Sequence, residues 1–200
     1  PNCTKAVLSS VGKLDETDIL WLKSHLNLLE IGHDSVFPFI NLYGSPKTLG
    51  IDRMVLAAGA VLLYPNQNTL IIDAGTCVTY DFVTSSNEYL GGAISPGLRL
   101  RYESLHNFTA KLPLLTKKAP ENFIGNTTDE AIHSGVVNGL CNEIEGFVSE
   151  YSVKNEQFTI ILTGGDANFL ANRLKSTIFA DENFLLKGLQ QLYTYSLQND

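Results

Sequence analysis

Apolar positions along this chain recur at two spacings, and the changes from one to the other mark its elements. Lys5 to Val11 reads as a strand. Ile19, Leu22, Leu26 and Leu29 then recur at helical spacing behind Asp15 and Thr17, which can cap a helix, and Trp21 falls at the edge of that face. Ile31 to Ile40, broken by Gly32 and Pro38, reads as loop or weak strand. Met54 to Tyr64 is an apolar run containing Gly59 and predicts a buried helix, and Pro65 to Asn68 is a turn and the best domain boundary. Leu70-Ile-Ile predicts a buried strand, and alternation from Thr76 to Val83 predicts a second strand running back. Glu88 to Ser95 reads as another strand, which Pro96-Gly97 ends, and Leu98, Tyr102, Leu105 and Phe108 mark the face of the helix after it.

Ala110 to Asn122, with its prolines and lysines, reads as a surface loop. Thr127 and Glu130 fit a capping box opening a long helix with the stripe Ile132, Val136, Leu140, Ile144, Val148 and Tyr151, which leaves His133 solvated. Phe158 to Leu162 predicts a strand. Thr163-Gly-Gly-Asp166 leads from it into a helix, and Asp181 or Asn183 caps a last helix with Leu185, Leu189 and Leu192 inward.

Composition narrows the classes. A net charge of -7 argues against a general nucleic-acid surface, and 44% hydrophobic residues are enough for a real core. The longest apolar run is too short to span a membrane, and residues 1 to 13 show no charged-then-apolar leader pattern. Three cysteines without CxxC spacing argue against a disulfide framework and a zinc site, so a reducing cytoplasm is the simplest home.

Three stretches carry candidate chemistry, each with a plainer reading beside it. The turn Asp73-Ala-Gly-Thr76 is either an ordinary Asx-type hairpin turn or a phosphate cradle. In the cradle, Gly75 lets N–H groups approach the oxygens, Thr76 adds a hydroxyl, and Asp73 suits a cation beside them. Asp52 lies at a helix N-terminus, where an acid caps free N–H groups and offsets the dipole. Gly164-Gly165 between a strand and a helix is a tight turn or a place where backbone meets a ligand.

Taken together these stretches resemble type III pantothenate kinases, members of the actin-like (sugar kinase, Hsp70, actin) superfamily. The resemblance rests on Lys5-Ala-Val-Leu-Ser-Ser-Val, Tyr43-x-x-Pro46-x-x-Leu49-Gly-Ile-Asp-Arg53 and Leu70-Ile-Ile-Asp-Ala-Gly-Thr-Cys-Val-Thr79. It continues through Gly91-Gly-Ala-Ile-Ser-Pro-Gly97, Thr109-Ala-Lys-Leu-Pro113, Gly125-x-x-Thr128 with Ser134-Gly135, and Leu162-Thr-Gly-Gly165. Ile51 and Cys77 stand where the family usually has alanine or a similar residue. The family's opening Asp-x-Gly-Asn-Thr turn does not occur in these residues, and we expect the sequence to be incomplete at its front.

The resemblance implies an α/β fold of two actin-like (ribonuclease H-like) domains with mixed sheets flanked by helices. Residues 1–66 would be the remainder of the first and 67–200 the second, with the site in the cleft between them. It implies ATP-dependent phosphorylation of pantothenate, the first step of coenzyme A synthesis, with Asp52 as general base. Tyr43, Gly50, Ile51, Asp52, Arg53, Thr128 and His106 would contact pantothenate, His106 across a dimer interface. Gly75, Thr76, Gly164 and Gly165 would hold ATP with Mg2+, and Asp73 a monovalent cation, K+ or NH4+. The partners implied are a second copy of the chain and no nucleic acid or membrane. Alternatives are a non-catalytic accessory transcription regulator of the same family and another actin-like small-molecule kinase.

Overall fold

The structure is a computed structural model that describes residues 3–10, 12, 14–155 and 157–199. Strand β1 (Lys5–Ser9) leads to helix α1 (Glu16–His25), β2 (Asn27–Ile31), the short β3 (Ile40–Asn41) and α2 (Ile51–Leu63). Strands β4 (Thr69–Ala74), β5 (Cys77–Val83) and β6 (Glu88–Pro96) follow, then α3 (Leu98–Asn107), α4 (Thr128–His133) and α5 (Gly139–Lys154). β7 (Thr159–Thr163), α6 (Ala167–Ala171), β8 (Phe179–Ala180) and α7 (Phe184–Asn199) complete the chain. β1 and β2 form a parallel pair in the register Lys5↔Asn27 to Ser9↔Ile31. A six-stranded sheet has the order β3-β6-β5-β4-β7-β8.

The chain clusters into two compact units. One consists of Pro1–Thr69, Asp81–Gly91 and Asn183–Asp200, the other of Leu70–Tyr80 and Gly92–Glu182. The core of the first is built on α2, whose Val55, Leu56, Ala57 and Ala58 are fully buried. α7 packs across α2. Two glycines make that crossing close: a Cβ on Gly59 would stand 2.9 Å from Gly188 Cα, and one on Gly188 would stand 2.8 Å from the Val55 carbonyl. In the second unit, Ile71 and Ile72 of β4, Ile161 of β7 and Leu140 and Ile144 of α5 share the buried interior.

Several expectations change. Asp15 caps α1, its Oδ1 accepting from Thr17 N at 2.9 Å. The helix nevertheless stops at His25, and Leu26 and Leu29 are extended or in β2, because Asn27 N already donates to Thr4 O at 2.9 Å and starts the pairing with β1. α1 buries no side chain, and Trp21 is 59% exposed. Val11, the last residue of the expected first strand, lies outside the described residues. The long helix is real in outline but not uniform, since Ser134–Asn138 between α4 and α5 is a π-helical segment. Its buried positions recur every four residues, a longer interval than the 3.6-residue turn of an α-helix, and a wider turn takes up part of that drift. In α7 the fully buried side chains are Phe184 and Leu192, while Leu185 and Leu189 are half-buried.

Candidate active site

In the first unit the sequence-predicted residues Tyr43, Gly50, Ile51, Asp52 and Arg53 gather at the start of α2. Gly50 is its N-cap, with φ -58 and ψ 136, so no side chain closes the end of the helix. The Asp52 carboxylate folds back into that place: its Oδ1 accepts from Arg53 N at 2.8 Å, and a Cβ on Gly50 would stand 2.3 Å from the same oxygen. The bare backbone of Gly50 is therefore a steric condition for this carboxylate position. Asp52 is half-buried and makes no ion pair among the described residues. The side chain of Ile51 is buried in the core, leaving its backbone for any ligand contact. Upstream, His33 Nε2 bonds the Leu49 carbonyl at 2.8 Å and fixes the approach to the helix.

Arg53 is 5% exposed, and its carboxylate partner comes from within the unit. Nε donates to Asp81 Oδ1 and Oδ2 at 2.9 and 3.2 Å, and Nη2 donates to Oδ1 at 2.6 Å. The Tyr89 hydroxyl donates to the same Oδ1 at 2.6 Å, and Asp81 and Tyr89 are both fully buried. Burial works against the Arg53 charge, but the hydrogen bonds and charge of Asp81 outweigh it and hold the guanidinium above its ordinary pKa. Burial, then the Asp81 charge, raises the Tyr89 hydroxyl. Tyr43 covers this group, its ring centroid 5.6 Å from Arg53 Cζ. The ring fits there because Gly91, at φ +92, has no Cβ; one would stand 2.8 Å from Tyr43 Cδ2.

The second unit gathers Asp73, Gly75, Thr76, Gly164 and Gly165. β4 and β5 form the expected hairpin, closed by Gly75 N donating to Cys77 O at 2.9 Å. Gly97 N donates to Thr76 O at 3.0 Å, and a Cβ on Gly97 would stand 2.1 Å from Gly75 O, so the Pro96-Gly97 break lies directly on the turn. Arg101 anchors that break, donating to Pro96 O at 2.8 Å and pairing with Glu143 at 2.5 Å. Gly164, at φ +91, lies against the end of β4: a Cβ there would meet Asp73 Oδ1 at 2.4 Å and Ala74 O at 2.5 Å. Asp166 N donates to Ala74 O at 2.9 Å, which opens α6 beside the same place. Thr76 and Gly165 are exposed.

Among the described residues, no group of three or more His, Cys, Asp or Glu side chains is placed to hold a metal. The donors around Gly164 are a carboxylate and a carbonyl oxygen, a hard set that suits an alkali or alkaline-earth ion rather than a soft one.

Among the described residues, His106 and Thr128 join the second unit's cluster by no hydrogen bond of their own. Exposed His106 donates from Nδ1 to Leu112 O at 2.8 Å. Thr128 is the exposed first residue of α4, capped by Thr127, whose Oγ1 accepts from Glu130 N at 3.2 Å. The box closes one residue early, with Glu130 Oε2 accepting from Asn126 N at 3.0 Å. His133 is not solvated as expected: its Nδ1 bonds the Tyr102 hydroxyl at 2.8 Å. Sequence reasoning passed over Asp81. The available signal was a lone acid between Tyr80 and Phe82 in an apolar strand, since a buried charge requires a partner.

A family model described as type III pantothenate kinase matches residues 1–150. A type III pantothenate kinase of Flavobacterium johnsoniae is 59% identical over 200 residues, which is 100% of this chain and 82% of that relative. Another, from Flavobacterium psychrophilum, is 60% identical over 189 residues, 94% of this chain and 78% of the relative. Among solved structures, a conserved protein from Campylobacter jejuni, assigned to the Baf family of transcriptional activators, superposes with a TM-score of 0.68. It covers 98% of this chain and 84% of its own at 22% identity, a likeness of fold alone. The fold is α/β, with sheets flanked by helices.

Proposed function

Because this chain belongs to the type III pantothenate kinase family, a family of enzymes, we propose that it transfers the γ-phosphoryl group of ATP to the primary hydroxyl of pantothenate, opening coenzyme A biosynthesis. Asp52 is the general base. The observation that carries this role is that Asp52 Oδ1 is occupied by a backbone N–H while no cationic side chain among the described residues pairs with the carboxylate, so Oδ2 remains for an alcohol. As the hydroxyl oxygen bonds to phosphorus and the bond to the ADP oxygen breaks, the proton passes to Asp52, a role worth about 10²- to 10⁴-fold in rate. Tyr43, the Gly50 and Ile51 backbone and Arg53 hold pantothenate, with Thr128 and, from a second copy, His106. Exposed Phe108, at 87%, and Ile124, at 82%, support association into a homodimer.

ATP takes the Gly75-Thr76 turn for its phosphates and Gly164-Gly165 for its adenosine side. Mg2+ on the phosphate oxygens spreads the developing charge. Asp73 holds K+ or NH4+, and the oxygen donors beside Gly164 support that reading. The cytoplasm is the proposed setting. Asp52→Asn in the full-length protein is expected to lose at least about 10²-fold in kcat with its melting midpoint kept. Near-normal turnover in that variant removes Asp52 from the mechanism. Preference for a hexose over pantothenate in a substrate panel defeats the substrate assignment.

A further inference from the structure

We propose that Asp81 is a positioning residue for the acceptor side of the reaction. With Tyr89 it locks the Nε–Nη2 edge of Arg53, so that Arg53 meets pantothenate through its end-on Nη1–Nη2 edge and not through the side-on one. The inference rests on the proposed pantothenate site.

The geometry within the first unit carries it. A guanidinium recognises a carboxylate best through two parallel N–H groups. In Arg53 the Nε and Nη2 groups converge on Asp81, whose Oδ1 receives both of them and the Tyr89 hydroxyl. The end-on edge, Nη1 with the second N–H of Nη2, is what remains for an acceptor oxygen. The ring of Tyr43, itself a proposed substrate contact, lies beside the same guanidinium, and its centroid is 6.2 Å from that of Tyr89. Phe39 adds a third ring, 5.8 Å from Tyr89. These aromatics keep water from the pair and leave the lock rigid.

A buried ion pair is a poor source of stability, because removing both charges from water offsets most of their attraction. Apolar side chains of the same volume would serve the core as well. What the pair adds is a fixed direction for Arg53 and, through the Arg53 backbone N–H that holds Asp52 Oδ1, a fixed first turn of α2. Asp81 touches no substrate in this arrangement. It acts through Arg53, and Tyr89 acts through Asp81.

The test uses the full-length protein with Tyr89→Phe, Asp81→Asn and Asp81→Glu. Asp81→Asn leaves the Arg53 charge buried without its counter-ion and can fail to fold, so Tyr89→Phe, which removes one hydroxyl, decides the matter alone if it does. In folded variants KM for pantothenate is expected to rise about three- to tenfold for Tyr89→Phe and more than about tenfold for Asp81→Asn, with KM for ATP within about twofold. Partial recovery in Asp81→Glu supports the lock. Unchanged KM for pantothenate in folded Tyr89→Phe, or both KM values rising together, overturns it. A readout independent of turnover is the Arg53 Nε–H signal in nuclear magnetic resonance. It should be shifted and slow to exchange in the unmodified protein and lost in folded Asp81→Asn; fast exchange in the unmodified protein overturns the lock. Absence of pantothenate phosphorylation by the unmodified protein would instead defeat the functional reading, and the Nε–H signal would still report on the lock.

Discussion

At the scale of single residues, the start of α2 turns on an atom that is missing. Gly50 carries no Cβ, and the Asp52 carboxylate lies where one would be, 2.3 Å away from its position. Most close approaches of this kind involve backbone, and a substitution there disturbs the fold. Here the obstacle is the free end of a side chain, which can swing aside. Gly50→Ala is therefore expected to cost less than about 1 kcal/mol of stability, the usual range for an N-cap glycine replaced without a backbone clash. Its carboxylate, however, must move by something on the order of 1 Å, and a displacement of that size in a catalytic group lowers the rate about 10²-fold. Chemical denaturation beside steady-state kinetics checks both halves. A Gly50→Ala protein with unchanged kcat would show that the carboxylate position seen here is not the working one. Gly91 and Gly164 differ from Gly50 in kind: both have φ near +90, so any side chain there strains the backbone whatever the space around it.

At the scale of elements, what was legible depended on how far apart the determining residues are. Asp15 at the start of α1, the apolar run of α2 and the β4–β5 hairpin are set by neighbours within a few positions, and their signals lie in the local sequence. The contact between Gly50 and Asp52 belongs to the same class. The end of α1 does not, because Leu26 and Leu29 keep a helical spacing and yield to a partner strand more than twenty positions earlier. No local pattern shows that Asp81 would take Arg53, 28 positions before it, or that Gly164 would lie on Asp73. Nor does one show that the glycines at 59 and 188 would meet. That crossing yields a prediction at its own scale. Gly59→Ala places a methyl 2.9 Å from the Gly188 backbone, where neither partner is a flexible side chain, so α7 must lift from α2. Overpacking of this kind costs about 1–3 kcal/mol. Urea unfolding should show that loss while KM for pantothenate in the folded protein stays within about twofold, and a stability equal to that of the unmodified protein would mean the two helices adjust freely.

At the scale of the whole molecule, half-buried carboxyls and buried tyrosines limit stability on either side of neutrality, and the sign differs on each side. Burial tends to raise Glu143, but hydrogen bonds from Arg101, Ser95 and Tyr80 outweigh it, and the carboxyl is held below its ordinary 4.5. Glu145 shows the same balance, with Ser176 and Lys175 as the stabilising partners. A depressed carboxyl contributes in full above pH 4.5; as pH falls below that, the unfolded chain takes up the proton first and the contribution is lost through the folded pKa. Tyr80 and Tyr89 have the opposite sign. Burial first, then Glu143 for Tyr80 and Asp81 for Tyr89, lifts both hydroxyls well above 10.0. Above that pH the unfolded chain ionises while the folded one resists, so stability falls again. Thermal melts from neutral pH downward should therefore show an acid limb starting near 4.5 that flattens in Glu143→Gln with Glu145→Gln. Melts above pH 10 should show an alkaline limb that flattens in Tyr89→Phe, the variant that also probes the Arg53 lock. If the acid limb keeps its slope in the double variant, the acid sensitivity comes from elsewhere in the chain, and the Arg101–Glu143 pair does not stabilise the second unit by its charge. Glu143 accepts from both Arg101, the anchor of the Pro96-Gly97 break, and Tyr80, whose ring stacks on Phe147 at 4.0 Å between centroids. Protonating it would therefore loosen the backing of the Gly75-Thr76 turn before the unit unfolds. Because the folded carboxyl titrates below its ordinary 4.5, KM for ATP is expected to rise only below the pH at which the melting midpoint begins to fall, and an unchanged KM for ATP there in still-folded protein would separate this network from the turn.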